Sequence, residues 1–156
     1  VEDEDLTIDI QAGSEAVTLT LGAGVEEVTL AGSEDVAVVG NDEDNVITGN
    51  DGDNALSGGA GADVIDGGAG DDAIEGGAGG DDLDGGAGVD TLDVAEAGPG
   101  GAFVDLATGV AFSAEGGLDD VAGFENVAGS SGDDGLFGDA GDNVFFASGG
   151  VDSVNG

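Results

Sequence analysis

Between Gly40 and Asp93 the apolar positions return every nine residues, and no helical period fits them. Six units follow one another as GNDEDNVIT, GNDGDNALS, GGAGADVID, GGAGDDAIE, GGAGGDDLD and GGAGVDTLD, each with glycine first, Asp or Asn sixth and an aliphatic residue eighth. The seventh to ninth residues alternate out, in, out, which predicts a short strand whose middle member is buried. The inward row is then Ile47, Leu56, Ile65, Ile74, Leu83 and Leu92. A strand this short followed by a glycine-rich turn accounts for half a coil, so two units make one full coil and successive coils stack about 4.8 Å apart. The pattern therefore predicts an all-β fold, a parallel β-roll.

The rest of the chain departs from this period in two places. Residues 1–39 carry short β-rich runs, LTIDI at 6–10, AVTLTL at 16–21, EEVTLAG at 26–32 and DVAVVG at 35–40, separated by Gly, Ser and Glu. They are expected to form a lead-in that caps the roll, since terminal units of solenoids are typically atypical. Over 94–128 the nonapeptide stops. GGAFVDLATGVAF at 100–112 alternates, turns at Ala107-Thr108-Gly109 and alternates again, which predicts a β-hairpin insertion. Phe103, Phe112 and Phe124 fall in this stretch and are expected to plug the aliphatic stack. The period resumes over 129–156 with GSSGDDGLF, GDAGDNVFF and ASGGVDSVN.

The polar positions of the repeat carry the chemistry. Glycines at the first, second and fourth places, as in Gly58, Gly59 and Gly61, permit a sharp turn with positive φ and no Cβ clash. The sixth place supplies a short oxygen-bearing side chain at Asn45, Asn54, Asp63, Asp72, Asp81 and Asp90, and again at Asp134, Asn143 and Asp152. Half-coil stacking puts Asp63 over Asp81 and Asp72 over Asp90. Two bare carboxylates at that spacing repel by roughly 3 to 4 kcal/mol at an effective dielectric near 20. A hard divalent cation between them reverses the sign, and calcium favours carboxylate and carbonyl oxygens. Folding is therefore expected to be coupled to calcium binding. A flexible acidic linker shares this composition, but it would have no reason to keep an aliphatic residue at every eighth place.

Charge sharpens the picture. The chain holds 36 acidic residues and no Lys, Arg or His in 156 positions, a net charge of −36. Nothing in it can meet a phosphate, so nucleic acid and anionic membranes are excluded as partners, and its partners should be cations. No apolar run is long enough to insert in a membrane. Without Cys, Met, Trp or Tyr there is no disulfide, zinc finger or aromatic platform, and without His, Lys or Cys most catalytic mechanisms fall away. The chain is expected not to be an enzyme.

With its G-G-x-G-x-D-x-U-x units, the block resembles the RTX family of calcium-binding nonapeptide repeats. The passage GVEEVTLAGSEDVAVVGNDEDNVITGN and the hairpin-to-repeat passage, VDLATG followed by FENVAGSSGDD, resemble the same family. The resemblance covers about 25–156 and implies that glycine-loop carbonyls, such as those of Gly58, Gly67, Gly76 and Gly85, join the sixth-position side chains in holding each ion between loops two units apart. Stacking in pairs 45/63, 54/72, 63/81, 72/90 and 134/152 leads to an expectation of about five ions. Asn45 and Asn54 lower the ligand charge of the first sites, and Glu43 replaces the fourth-position glycine. The resemblance also implies a secreted, extracellular or cell-surface protein. The start at Val1 and the lack of the usual C-terminal secretion region predict a fragment or matured product. Two functions are consistent with these residues. One is a structural scaffold, surface-layer, matrix or filament subunit that folds on calcium and assembles as a homopolymer or larger extracellular assembly. The other is the repeat domain of a larger secreted enzyme, toxin or adhesin.

Overall fold

The computed structural model describes residues 17–113 and 116–156 in full and residues 5–9 as backbone. Its strands are β1 (Asp5–Asp9), β2 (Val17–Thr20), β3 (Glu27–Ala31), β4 (Val36–Val39), β5 (Val46–Thr48), β6 (Ala55–Ala60), β7 (Val64–Asp66), β8 (Ala73–Ala78), β9 (Asp82–Asp84) and β10 (Thr91–Asp93). A 3₁₀ turn at Ala95–Gly100 leads into β11 (Ala102–Asp105), β12 (Val110–Ser113), β13 (Gly117–Ala122), β14 (Asn126–Ala128), β15 (Gly135–Phe137), β16 (Val144–Phe146) and β17 (Ser153–Asn155). Among the described residues they form two sheets, ordered β1-β3-β5-β7-β9-β13-β12-β11-β15-β17 and β16-β14-β10-β8-β6-β4-β2. Except at β11, β12 and β13, which share one sheet, odd and even strands alternate between the sheets as the chain winds, which makes a parallel β-roll of about 8 turns.

Register follows the two-unit stacking. Ile47 pairs with Ile65 and Ile65 with Leu83 in one sheet, while Leu56 pairs with Ile74 and Ile74 with Leu92 in the other. These six side chains are buried in one core, and their strand neighbours Val46, Val64, Asp66, Asp82 and Asp84 face out. The lead-in continues the same rows, Val28 beside Ile47 and Val38 beside Leu56, both fully buried. Of the early runs, residues 10–16 lie outside the described residues.

Over 94–128 the two sheets behave differently. In one, β13 lies parallel to β9 with Val121 on Leu83. From there β12 and β11 run antiparallel, and β11 meets β15 in parallel with Val104 on Leu136. In the other sheet β10 passes straight to β14, Leu92 on Val127. The insertion is thus an excursion confined to one sheet.

The phenylalanines depart from the expected plug. Phe124 is buried in the core, but Phe103 and Phe112 face solvent. Strand alternation is the reason: Val104 and Ala111 take the inward positions of β11 and β12, so their neighbours must point out. On that outer face Phe103 and Phe137 lie tilted with ring centroids 5.4 Å apart. A Cβ at Gly135 would touch both rings, so that glycine leaves them room to close over the strand.

Candidate metal centre

Each loop holds its sixth-position side chain by the coil that precedes it. The backbone N–H of Asn45 donates to Asp63 Oδ1 (2.8 Å), that of Asn54 to Asp72 Oδ1 (2.7 Å), that of Asp63 to Asp81 Oδ1 (2.9 Å) and that of Asp72 to Asp90 Oδ1 (2.8 Å), always 18 residues apart. The Asp134 N–H likewise donates to Asp152 Oδ1 (3.0 Å). All five stacked pairs expected from the repeat are therefore brought together. Main-chain carbonyls at the sixth place are used in the ladder to the following coil, as where Asp82 N–H donates to the Asp63 carbonyl. Only the side chain remains for other work.

Fifth-position aspartates, which the periodic reading passed over, interlock in the opposite direction. Asp44, Asp53, Asp71 and Asp133 accept from the backbone N–H of Ala62, Asp71, Val89 and Val151 one coil later. They are exposed and belong to the loop scaffold. Their signal was present in the sequence, as acids at the fifth place of several units.

At four loops the second carboxylate oxygen has nothing to bond to. Among the described residues, Asp63, Asp72, Asp81 and Asp90 Oδ2 are buried with no hydrogen-bond partner. A buried acceptor without a partner costs about 1–3 kcal/mol, more for a charged group. The chain has no Lys, Arg or His to supply one. Burial pushes Asp63 and Asp72 up to about 6, partly offset by the Asn45 and Asn54 N–H bonds and reinforced by the charges of Asp81 and Asp90. It also raises Asp81 and Asp90 above the ordinary carboxylate value, the Asp63 and Asp72 N–H bonds again opposing. As built, these sites await a proton or an exogenous cation.

The first-position glycines shape the space in front of those oxygens. Gly58, Gly67, Gly76 and Gly85 lie outside the left-handed region, so position one is glycine for room rather than for φ; positive φ falls on the second and fourth places, as at Gly59 (101°) and Gly61 (122°). A Cβ at Gly67 would stand 2.5 Å from the Gly85 carbonyl oxygen and 2.6 Å from Asp72 Oδ2. One at Gly58 would likewise collide with Asp63 Oδ2 and the Gly76 carbonyl, and one at Gly76 with Asp81 Oδ2. The oxygens that converge beside these glycines, a carboxylate Oδ2 and at Gly58 and Gly67 a main-chain carbonyl, are hard donors of the kind calcium takes. The residues present fit calcium.

The remaining sixth-position residues are built differently. Asn45 Oδ1 accepts from Asn41 N–H (2.9 Å), Asn54 Oδ1 from Asn50 N–H (3.0 Å) and Asn143 Oδ1 from Asp139 N–H (2.9 Å). At Asp134, Oδ2 accepts from Ser130 N–H (2.8 Å), while Oδ1 accepts from the Ser130 hydroxyl (2.6 Å) and Ala102 N–H (2.8 Å). The deciding residue is the second of each unit. Where it is Asn, Ser or Asp, its N–H turns toward the sixth side chain and its own oxygen caps the turn, as Asn50 Oδ1 does for Gly52 N–H (2.9 Å). Where it is glycine at positive φ, no such donor reaches the carboxylate and Oδ2 stays open.

Two acids of the 94–128 stretch extend the rows, Asp119 outside the nonapeptide frame and Glu125 nine residues before Asp134, at the sixth place of a unit DVAGFENVA in step with the second block. Asp81 N–H donates to Asp119 Oδ1 (3.1 Å) and Asp90 N–H to Glu125 Oε2 (2.9 Å), in place of a next repeat. Burial pushes Asp119 up to about 6. Each stands two residues before an inward aliphatic, Val121 or Val127, and that acid-x-aliphatic triplet was the signal available in the sequence.

Known proteins agree with the repeat reading. The family model described as RTX calcium-binding nonapeptide repeat (4 copies) matches residues 39–74, 57–92 and 119–156. No match was found among curated proteins.

Proposed function

Because the chain belongs to the RTX calcium-binding nonapeptide repeat family, we propose that it serves as an extracellular structural scaffold whose roll is completed by calcium. One observation carries this reading: among the described residues four buried aspartate oxygens, at Asp63, Asp72, Asp81 and Asp90, have no protein partner, and those of Asp63, Asp72 and Asp81 face first-position glycines. Calcium supplies the positive charge that a chain of net charge −36 cannot supply itself. The side chains of the four aspartates and the carbonyls of Gly76 and Gly85 would hold it, their N–H bonds to the preceding coil keeping each carboxylate aimed. No catalytic role is part of this reading, since the chain contains no His, Lys or Cys. Among the described residues no helix is long and apolar enough to cross a membrane.

Assembly along the roll axis belongs to the same proposal. Val154 continues the core row after Leu136, yet it is 48 % exposed, and β17 has one free edge among the described residues. An edge of this kind pairs readily with another strand, and a second copy could supply it. Far-UV circular dichroism and sedimentation, in chelator and then in millimolar calcium, test both parts. A rise in β-structure with calcium is expected, followed by growth in mass. A β-rich chelated spectrum unchanged by calcium would overturn the scaffold reading, and a monomer at high concentration in calcium would remove the assembly.

A further inference from the structure

Strand alternation turns Phe103 and Phe112 outward, but it does not dictate that outward residues be aromatic. In the regular coils of the same sheet the outward places of β7 and β9 hold Val64, Asp66, Asp82 and Asp84. On the insertion they hold Leu118 of β13, Phe112 of β12 and Phe103 of β11, and the register sets these side by side. Leu118 lies opposite Phe112, Phe112 opposite Phe103, and Phe103 opposite Gly135 of β15. Residues directly opposite one another have Cβ atoms about 4.5–5.5 Å apart, so the three large side chains form one row. Phe137, two residues beyond Gly135, ends the row with its ring against Phe103. Leu118, Phe112 and Phe103 are 64, 51 and 42 % exposed. Single exposed apolar residues are ordinary, whereas a contiguous patch of large ones marks an interaction surface.

The neighbouring row carries charge. Two residues along each strand, about 7 Å away, β13 presents Asp120, β12 Val110 and β11 Asp105. These are again in register: Asp105 opposite Val110, Val110 opposite Asp120, and Asp120 opposite Asp82 of β9. An apolar row thus runs beside a row bearing aspartates, and the chain has no Lys, Arg or His to neutralise them. This charge decides what fits the face. A second copy laid upon it would set aspartates against aspartates, and like charges juxtaposed across an interface are unfavourable. An anionic bilayer meets the same repulsion. A polypeptide that presents apolar side chains to one row and Lys or Arg to the other satisfies both.

We propose that the outer face of the insertion, with Leu118, Phe112, Phe103 and Phe137 in one row and Asp105 and Asp120 beside them, docks a cationic, apolar segment of another protein. The full chain in millimolar calcium is titrated by fluorescence anisotropy with two labelled peptides of equal length and charge, one alternating Leu and Lys, the other Ser and Lys. The Leu-Lys peptide is expected to bind the parent about tenfold more tightly than the Ser-Lys peptide, and the double variant Phe103→Thr/Phe112→Thr to bind both equally. Asp105→Asn/Asp120→Asn is expected to weaken the Leu-Lys peptide more than Asp51→Asn/Asp142→Asn, which removes two exposed acids elsewhere. Threonine keeps the β preference of these strands, and circular dichroism verifies the fold; if the double variant does not fold, Leu118→Thr replaces it and is expected to narrow the difference. Equal affinity of the parent for the two peptides, a difference unchanged in the folded variant, or equal effects of the two aspartate pairs overturns the docking surface. Dimers of the parent that form without peptide and are lost in the aromatic variant overturn it in favour of a second copy. Parent chain that sediments with phosphatidylcholine vesicles through the same residues overturns it in favour of a bilayer.

Discussion

Replacing Gly67 with alanine fills a cradle without removing a single charge. Gly67 lies outside the left-handed region, so its backbone accepts alanine. The added methyl would lie 2.5 Å from the Gly85 carbonyl oxygen and 2.6 Å from Asp72 Oδ2, where ordinary contact begins at 3.4 Å. Both neighbours are anchored: Asp72 Oδ1 by Asn54 N–H, and the stretch of chain at Gly85 by Gly85 N–H on the Ala122 carbonyl. Overpacking of this kind costs about 1–3 kcal/mol. Where folding and binding are one equilibrium, the loss enters the calcium affinity directly, roughly 5- to 150-fold. Gly22→Ala provides the comparison, since nothing lies within 4 Å of its Cβ and its φ is not left-handed. That change alters the unfolded chain in the same way and stabilises by about 0.4–1 kcal/mol at most. Calcium titrations followed by circular dichroism should place the Gly67→Ala midpoint well above the parent and Gly22→Ala at or slightly below it. Equal midpoints for the two variants would refute the cradle.

In chelator the fold should gain stability as pH falls. Asp63 and Asp72 rise from 3.8 to about 6 in the folded chain, so the native state holds protons more tightly and recovers roughly 3 kcal/mol per group between pH 6 and pH 4. Far-UV circular dichroism in EDTA at pH 5 and pH 7.5 checks this: more β-structure is expected at pH 5, and equal spectra would contradict it. Asp63→Asn should lower the number of calcium ions bound, whereas Asp134→Asn should leave it unchanged and cost about 1–3 kcal/mol of stability through its bonds to Ser130 and Ala102, as read by dialysis and melting. Phe124→Ala should cost about 3–5 kcal/mol, against less than about 0.5 for the exposed Phe112→Ala, as read by denaturant unfolding of the calcium-loaded chain.

The sequence by itself determined the coil. A three-residue alternation, a glycine turn and a period of nine are local properties, and together they place Ile47 on Ile65 and Asp63 beside Asp81 before any long-range contact is known. The inward rows, the two-unit offset and the pairing of sixth-position oxygens all follow from that period. Only the tertiary structure decided which loops are open. Asn54 and Asp72 occupy the same place in their repeats, yet the N–H of Asn50 satisfies one while Gly68 at φ 96° leaves Oδ2 of the other without a protein donor. The insertion was decided the same way. Asp119 and Glu125 join the carboxylate rows at offsets of 38 and 35 residues, and Phe103 turns outward because Val104 is claimed by Leu136. Periodicity reports the neighbours of a repeat only while the period lasts; beyond it, hydrogen-bond demand and core packing select the partner, and these act through space rather than along the chain.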